Sequence, residues 1–356
     1  MAIDFDSIQV DTTALPFREE PYLRAAFTEP ELAGYEVIVI EDSIAGKQGT
    51  SGRLTTIAAR FPRCVLAEWN THRTFSRNSA SSRARSIKST IADVMENPYI
   101  PLFTKNRKGM SGQFVTDTER ERAIDFWLEA RDRAVASELS LLLGRDIKVM
   151  DLWGDAGTGS QPWVELVDEY DRAYQSGDES LLSIHKQNAN RLIEPFSWHQ
   201  TITTSSYWQN FLELRDEDGA MPEIRAMARL IKAAFAASQP RVARFHVPFI
   251  DHESLPEGRP RFAAVRDFLM LSAAECARVS YRDKDRTTVG DSTLAEKLLA
   301  QKHLSPFEHI GIELETYLDL APEAGLPTDL KKLSSNLDPS WVQFRQVLVT
   351  SDLTRR

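Results

Sequence analysis

The chain has 356 residues and an apolar fraction of 42%, which allows one large domain or two ordinary ones with a sizeable buried core. Its formal net charge of −9 argues against nonspecific binding to nucleic acid polymers or anionic membranes, because both need a basic excess. Cys64 and Cys276 are too few for a disulfide framework and lack a zinc-binding spacing. No signal peptide and no apolar run near the roughly 20 residues of a membrane span is visible. We expect a cytoplasmic protein without a metal or a membrane partner.

The first predicted elements lead into a donor-rich loop. Residues 1–33 carry prolines among acidic residues and are expected to form an N-terminal arm or small cap. The first clear strand is predicted at 35–40, followed by a strand at 53–61 with alternating apolar residues. Residues 63–70 are then predicted to form a helix whose end leads into the loop.

Residues 70–83, the donor loop, hold an unusual density of hydrogen-bond donors. Guanidinium groups pair with phosphate oxygens, while Ser and Asn bond the remaining polar atoms of a nucleotide. A surface loop that caps the preceding helix is the alternative, but a cap needs a single Ser or Asn. The pattern therefore predicts an anion and nucleotide site formed by His72, Arg73, Ser76, Asn78, Ser81 and Arg83.

The middle of the chain is predicted to be mostly helical scaffold. Residues 97–118 lack periodicity and are interpreted as a long lid or substrate loop. A helix is predicted over 116–143, and the acidic stretch 165–179 is expected to link it to a helix over 181–196. A strand at 199–204 and a helix over 207–215 follow, and Pro222 begins a helix that runs to 237.

The last predicted elements surround a second motif. A turn-rich linker at 248–260 precedes helices over 261–279 and 293–301, and a strand is predicted at 310–314. Between them, 302–309 reads Lys-His-Leu-Ser-Pro-Phe-Glu-His. Taken alone, Ser305 and Glu308 are typical of a helix capping box. Arg191 and Arg215, taken alone, are typical of solvated or ion-paired helix residues.

Together these stretches resemble the flavin-dependent thymidylate synthases. That family has an Arg-His-Arg sequence followed after seven residues by Ser, matched here by His72, Arg73 and Ser81, with Thr71 in place of the first Arg. It also has a His-x-Ser/Thr-x-Phe-Glu-His segment similar to 303–309, preceded by an Ala-Arg-x-Ser-Tyr stretch matched by 277–281. A helix, strand, helix unit that carries two arginines corresponds to 190–215.

The motif order departs from the family, because the segment at 303–309 follows the donor loop here instead of preceding it. Either a circular permutation or a duplication in which each half kept different residues explains this order, and the sequence at 341–345 favours duplication as a second copy of the helix before the loop. The resemblance implies an α/β (α+β) fold with a central, mostly antiparallel sheet flanked by helices. The resemblance also implies one compact, enlarged domain with two halves. Residues 34–247 would form a nucleotide-binding half, and residues 261–356 a flavin-contacting half.

The resemblance implies C5 methylation of a uridylate, dUMP to dTMP, with FAD as cofactor and NADPH and methylenetetrahydrofolate as co-substrates. Neither cysteine suits a nucleophilic role, since Cys64 lies at a strand-to-helix junction and Cys276 lies in an apolar helix. The implied catalytic residues are Arg215 and Ser81. The implied substrate-binding residues are Arg73, Ser79, Ser81, Arg83, Arg191 and Arg215. The implied flavin-binding residues are His72, Asn78, Asn210, Ser280, His303, Ser305 and Glu308.

Besides Thr71, three further positions leave the identity of the substrate open, since Ser79, Ala84 and Met221 replace the Glu, Tyr and Gln usual in the family. UMP, dCMP or a modified pyrimidine nucleotide is an alternative substrate, and a noncatalytic nucleotide- or flavin-binding paralogue is an alternative function. An unrelated hydrolase is disfavoured, because the chain has no phosphate-binding Gly loop and no paired Asp motif. The family assembles as homotetramers, which implies a homo-oligomer here, or a dimer if the chain is duplicated.

Overall fold

The computed structural model describes residues 3–15, 21–46, 51–81, 85–106, 113–154, 161–182, 184–258, 260–280 and 288–351. The chain divides into two compact units. The smaller unit holds Met1–Ile3, Pro62–Leu66 and Ser81–His199, and the larger holds Asp4–Phe61, Ala67–Ala80 and Gln200–Arg356. Within the described ranges, no helix is long and apolar enough to cross a membrane.

The strands and helices of the described residues are given in chain order. The strands are β1 (Ile8–Ala14), β2 (Pro21–Phe27), β3 (Glu36–Ala45), β4 (Ser51–Pro62), β5 (Ser76–Ser79), β6 (Trp198–Ser205), β7 (Arg241–Val242), β8 (Phe245–His246), β9 (Gly311–Glu313) and β10 (Trp341–Gln343). The helices are α1 (Leu66–Trp69), α2 (Ile87–Glu96), α3 (Asp117–Leu143), α4 (Pro162–Ser176), α5 (Lys186–Ala189), α6 (Trp208–Arg215), α7 (Pro222–Ala237), α8 (Phe262–Ala277), α9 (Thr288–Ala300), α10 (Leu314–Leu320) and α11 (Phe344–Thr350).

The larger unit is built on a sheet with the strand order β1-β2-β3-β4-β6-β5, and β7 adds to β3 in parallel. The β1/β2, β2/β3, β3/β4 and β5/β6 pairs are antiparallel. Helix α7 packs across β1, β2 and β3 through a buried face that includes Leu230 and Ile231. Pro222 begins this helix, where its missing N–H costs no hydrogen bond. The predicted mostly antiparallel sheet flanked by helices is confirmed.

A second, three-stranded sheet in the larger unit has the antiparallel order β10-β9-β8. At Gly311 in β9, an added Cβ would lie 2.8 Å from the Leu54 side chain and 3.0 Å from that of Trp341. The close approach of these side chains therefore requires glycine. Helices α8, α9, α10 and α11 bury an apolar cluster with this sheet that includes Leu269 and Phe344.

The smaller unit is a helical cluster around α2, α3 and α4. Helix α3 begins with a capping box, in which the Thr116 side chain accepts from the Glu119 N–H and the Glu119 side chain accepts from the Thr116 N–H. It ends at Gly144, whose φ of 68° is the left-handed conformation that favours glycine. The core of the unit includes Leu139 and Trp163. The segment that was predicted to link helices at 165–179 is itself mostly helix, because its apolar residues recur at helical spacing and bury one face of α4.

Five other predictions of secondary structure are borne out or overturned by the structure. The helices predicted at 207–215 and 222–237 and the strand at 199–204 are confirmed as α6, α7 and β6. The helix predicted over 181–196 is wrong, since the described residues of this segment form only α5 and a 3₁₀ turn at Glu194–Phe196. Asparagines and Pro195 disfavour a continuous helix. The expectation that the first strand begins near residue 35 is also wrong, because β1 and β2 precede it. Strand β1 is largely exposed and polar, so it lacks the apolar alternation of a half-buried strand.

Glu138 gives the smaller unit a pH-dependent stability. Its side chain in α3 is fully buried, and neither carboxyl oxygen has a hydrogen-bond partner among the described residues. Burial raises the pKa of Glu138 to about 8. Because the folded-state pKa is raised, the contribution of Glu138 to stability is fully present below the ordinary pKa of a glutamate and is lost as the pH rises toward 8.

Glu138→Gln removes this ionisation at nearly constant shape. We expect the variant to gain stability relative to the wild type by about 1.4 kcal/mol for each pH unit across this window. Urea denaturation at pH 5 and pH 8 measures the difference. Glu129→Gln, on the exposed face of the same helix, is the matched control and is expected to show no such trend. An equal free-energy difference at both pH values would contradict this account of Glu138.

Candidate functional site

The donor loop follows directly from α1 and includes β5. A turn brings the chain from Trp69 to Phe75, with the Phe75 N–H donating to the carbonyl of His72 at 3.1 Å. Strand β5 then pairs antiparallel with β6, so that Ser76 lies opposite Thr204. The second part of the predicted loop is therefore a strand, which holds its donors in fixed register on the sheet.

His72 and Arg215 meet at the centre of the candidate site. The Arg215 Nε donates to His72 Nε2 at 3.1 Å, and the Arg215 Nη1 forms an ion pair with Glu68 of α1. Burial, together with the nearby charges of Arg215 and Arg77, lowers the pKa of His72 to about 4. His72 is therefore neutral at pH 7 and accepts the bond through its unprotonated Nε2. The third nitrogen of the Arg215 guanidinium group, Nη2, has no hydrogen-bond partner among the described residues.

Aromatic packing fixes this histidine. The His72 ring stacks on Phe75 with centroids 5.4 Å apart and meets the edge of Phe211 at 4.9 Å. Below it, the fully buried Trp69 contacts both phenylalanine rings. Since α6 carries both Phe211 and Arg215, the same packing that buries the helix also positions the guanidinium group.

Arg77 and Asn78 of β5 are tied to backbone carbonyls. The Arg77 Nη1 donates to the carbonyl of Trp69 at 3.2 Å, and burial lowers the pKa of Arg77 although Glu308 opposes the shift. The Asn78 Nδ2 donates to the carbonyl of Cys276 at the end of α8, at 3.1 Å. The first bond ties the strand to the end of α1, and the second ties it to α8, which precedes the 3₁₀ turn at Arg278–Ser280.

The second motif, Ser305–His309, forms a 3₁₀ turn that packs against β5. Glu308 forms an ion pair with Arg345 of α11, and its carbonyl accepts from Gln343 Nε2 at 3.0 Å. Gln343 also donates to Asn336 Oδ1 at 2.9 Å, and Asn336 Nδ2 donates to Ser76 Oγ at 3.0 Å. Two stretches far apart in the sequence are therefore joined by one hydrogen-bond network.

Several residues that were predicted to bind ligands have exposed side chains in the larger unit. The exposed group consists of Arg73, Ser79, Asn210, His303 and Ser305. Ser79 Oγ also lies 3.5 Å from Thr201 Oγ1. These side chains place hydrogen-bond donors at the surface of the larger unit, whereas His72 is buried and Glu308 is half-buried.

Other residues that were predicted to bind ligands do not belong to this exposed group of the larger unit. Ser81 and Arg191 are exposed and belong to the smaller unit. Arg83 lies outside the described residues, as do 107–112 of the predicted lid and Ala84. Ser280 ends the 3₁₀ turn at Arg278–Ser280, and its side chain lies outside the described part of the structure.

No sequence pattern identified the partners that hold these residues in place: Glu68, Arg77, Asn336, Gln343 and Arg345. The last two were noted only within a second copy of a helix, whereas Gln343 ends β10 and Arg345 is the second residue of α11. Thr71, which replaces the family's first Arg, donates its hydroxyl to the carbonyl of Glu68 at 2.7 Å. The side chain at this position is therefore bonded within the turn after α1.

The donor set fits a flavin nucleotide. A dinucleotide cofactor needs cationic or hydroxyl donors for its phosphates, and Arg73, His303 and Ser305 present such groups. Its ring system also needs buried polar partners, and His309 Nε2 is a buried nitrogen without a hydrogen-bond partner among the described residues. Within those same residues, no group of three or more His, Cys, Asp and Glu side chains could hold a metal ion.

A comparison with protein families supports the same site. The family described as thymidylate synthase complementing protein matches residues 54–241, more than half of the chain. The match spans β4, α1, the donor loop, β6, α6 and α7, while the turn at Ser305–His309 lies beyond it. A search of curated proteins found no match. The chain belongs to the thymidylate synthase complementing protein family, that of the flavin-dependent thymidylate synthases.

Proposed function

We propose that the protein methylates C5 of a uridylate, converting dUMP to dTMP, with methylenetetrahydrofolate as carbon donor, FAD as cofactor and NADPH as reductant. The observation that carries the proposal is Arg215, held at the donor loop by His72 and Glu68 within the matched segment. Family membership supports thymidylate synthesis in general, and the geometry of these residues supports a role for them in it.

Arg215 would stabilise the negative charge that develops on the pyrimidine carbonyl edge. Two of its nitrogens are fixed by His72 and Glu68, so the guanidinium group is oriented before the substrate binds. The remaining Nη2 is available to donate to a carbonyl oxygen. Such preorganised donors are effective because no reorganisation is needed when the charge forms. Ser81 is proposed to lie near the reacting base.

The phosphate and sugar would be held by the arginines of the donor loop and the segment after α5. We assign Arg73, Arg83 and Arg191 to the phosphate, with Ser79 and Ser81 toward the sugar and base. Arg83→Ala is expected to raise the dissociation constant for dUMP about tenfold or more, since a charge-assisted bond is lost. Isothermal titration measures it, with the exposed Arg241→Ala as control. A wild-type dissociation constant would place Arg83 outside the phosphate site.

The flavin would be held by His72, Asn78, Asn210, Ser280, His303, Ser305 and Glu308. Bound in its reduced form, FAD supplies a hydride, which makes a protein nucleophile unnecessary. The properties of Cys276 support a mechanism without a protein nucleophile. Burial raises the pKa of this thiol well above that of a free thiol, which disfavours the nucleophilic thiolate. Cys64 is exposed and belongs to the smaller unit. The protein would contribute orientation and electrostatics.

Another pyrimidine nucleotide is the second candidate substrate, favoured by two features of the donor loop. Ser79 is exposed where the family usually has Glu, and Thr71 bonds to the backbone of α1 instead of carrying a charge. Relative to the family, one positive and one negative charge are therefore lost together, either as a compensated loss of an internal ion pair or as a change in the shape of the sugar or base pocket. A noncatalytic paralogue is the remaining alternative, and retention of Arg215 together with the turn at Ser305–His309 disfavours it.

The proposed function is tested by incubating the purified protein with FAD, NADPH, methylenetetrahydrofolate and a single nucleotide. Parallel reactions contain dUMP, UMP and dCMP, and mass spectrometry detects a methylated product. We expect methylation of dUMP. Methylation of UMP or dCMP alone would identify the second candidate substrate. No product from any nucleotide, with flavin still bound, would favour the noncatalytic paralogue.

Two proposals concern the organisation of the chain. We infer that 34–247 forms a nucleotide-binding half and 261–356 a flavin-contacting half, related to the family by permutation or duplication. We also infer a homo-oligomer, a tetramer as in the family or a dimer if the chain is duplicated. Light scattering coupled to gel filtration distinguishes the two masses.

A further inference from the structure

A chain of hydrogen-bonded side chains begins at Glu41, inside the larger unit. The Ser43 hydroxyl donates to Glu41 Oε1 at 2.7 Å, and Ser43 Oγ lies 3.0 Å from His246 Nδ1. On the other side of the same ring, His246 Nε2 lies 2.7 Å from Thr56 Oγ1. All four side chains are buried, so water does not compete for these bonds.

The chain continues from Thr56 to the turn at Ser305–His309. Thr56 Oγ1 lies 2.6 Å from Thr204 Oγ1, and Thr204 Oγ1 lies 2.8 Å from His309 Nδ1. Thr204 and His309 are also buried. The hydrogen bonds therefore connect β3, β8, β4, β6 and the last residue of the turn.

The carboxylate at one end fixes the direction of every bond. His252 Nε2 lies 3.0 Å from Glu41 Oε1, and although burial opposes the charge, His252 and Ser43 help to hold the pKa of Glu41 below its usual value. An ionised carboxylate can only accept, so Ser43 must donate to it and accept from His246. His246 Nε2 is then an acceptor for the Thr56 hydroxyl.

The same reasoning fixes the tautomer of His309. Each hydroxyl has a single hydrogen, so Thr56 donates to His246 and accepts from Thr204, and Thr204 accepts from His309. His246 and His309 are neutral at pH 7, because burial lowers their pKa values to about 4 and about 3. His309 is therefore protonated on Nδ1, and its Nε2 carries a lone pair.

That lone pair is an unused acceptor beside the candidate site. His309 Nε2 is buried and has no hydrogen-bond partner among the described residues. A buried acceptor without a partner costs free energy, and native proteins usually satisfy it with protein, water or ligand. The turn that ends at His309 packs against β5 and carries Ser305 and Glu308.

We propose that His309 Nε2 accepts a hydrogen bond from the imide N–H of a bound heterocycle, and that the chain from Glu41 to Thr204 positions it by fixing its tautomer. The inference rests on the proposed function, because the uracil ring and the isoalloxazine ring of a flavin both carry this imide group. Cytosine has an acceptor at the corresponding nitrogen and would place two lone pairs against each other. If the donor is the nucleotide, His309 thus favours uracil over cytosine.

Histidine-selective ¹⁵N labelling of the full chain tests the proposal by NMR, with His309 assigned from the spectrum of His309→Gln. In the ligand-free protein we expect a neutral ring with its proton on Nδ1. Separate additions of FAD, dUMP and dCMP identify the donor, since the Nε2 resonance moves upfield when it accepts a hydrogen bond. We expect FAD or dUMP to move it and dCMP to leave it unchanged.

Thr204→Val tests the positioning role, because it breaks the chain while nearly preserving the side-chain shape. We expect the Nε2–H tautomer of His309 to appear and the affinity for the ligand that moves Nε2 to fall about fivefold to tenfold. Thr204→Ser should restore both. Ser272→Ala, which removes a buried hydroxyl outside the chain, is the matched control and should change neither.

An Nε2–H tautomer in the wild type would overturn the proposal, as would an unchanged Nε2 resonance with FAD and dUMP both bound. The latter result would not contradict the proposed function, and it would indicate that a buried water donates to His309 Nε2. If the wild type bound neither FAD nor dUMP, the proposed function would fail together with the inference.

Discussion

Arg215→Ala is expected to lower turnover by about 10²- to 10³-fold, the usual cost of removing a donor that stabilises a developing charge. The dissociation constant for dUMP should change by less than about tenfold, because the bond is strongest in the transition state. Arg215 is already held by His72 and Glu68, so its loss removes a donor that is oriented before the reaction begins. Steady-state kinetics and isothermal titration of the same preparation separate the two effects.

Two matched variants sharpen this test. Arg215→Lys keeps the charge but cannot bond to His72, to Glu68 and to a substrate oxygen with the same planar geometry, so we expect it to recover little of the activity. Arg241→Ala removes an exposed arginine from β7 and should leave turnover unchanged. Wild-type turnover in Arg215→Ala would remove this residue from the mechanism.

Trp69→Ala is expected to lower the free energy of unfolding by about 3–5 kcal/mol, as large aromatic truncations in a core do. Trp69 is fully buried, with ring centroids 5.0 Å from Phe61 and 5.2 Å from Phe211, and its Nε1 donates to Thr203 Oγ1 at 3.3 Å. The cavity would lie directly under His72 and Phe75. We therefore also expect weaker binding of dUMP, because the donor loop that carries the proposed phosphate ligand Arg73 loses its support.

Denaturation with urea measures the free energy of unfolding, and titration with dUMP under native conditions measures the dissociation constant. Trp69→Phe should lose less stability, because most of the ring contacts remain. Phe126→Ala is the control for loss of an aromatic ring, since Phe126 is exposed on α3. An unchanged free energy of unfolding in Trp69→Ala would show that this cluster does not support the donor loop.

Local patterns in the sequence were sufficient for the elements that carry the site. Apolar residues at helical spacing and Pro222 at a helix start predicted α6 and α7, and the density of donors singled out residues 70–83. These signals are local, because periodicity and capping act within a few turns of the chain. Strand β1 was missed because an edge strand with polar, exposed residues lacks that signal. Strand β2 lies between β1 and β3, and its apolar residues do not alternate clearly with polar ones.

Contacts between distant residues could not be predicted in the same way. His72 and Glu68 are 143 and 147 residues before Arg215, and no pattern in either segment identifies the other. The chain from Glu41 to His309 crosses several strands, and single Ser, Thr and His residues are too common to be informative individually. The resemblance to a family brought the motifs together, but only the structure shows which atoms meet.

A single-turnover reaction tests the central claim most directly. The protein is mixed without oxygen with chemically reduced FAD, dUMP and methylenetetrahydrofolate labelled with ¹³C at the methylene carbon, and the products are analysed by mass spectrometry and absorbance. We predict ¹³C-labelled dTMP together with tetrahydrofolate and oxidised FAD, in equal amounts. Labelled dTMP accompanied by dihydrofolate, with FAD still reduced, would show that the folate supplies the hydride and would contradict the flavin-dependent account.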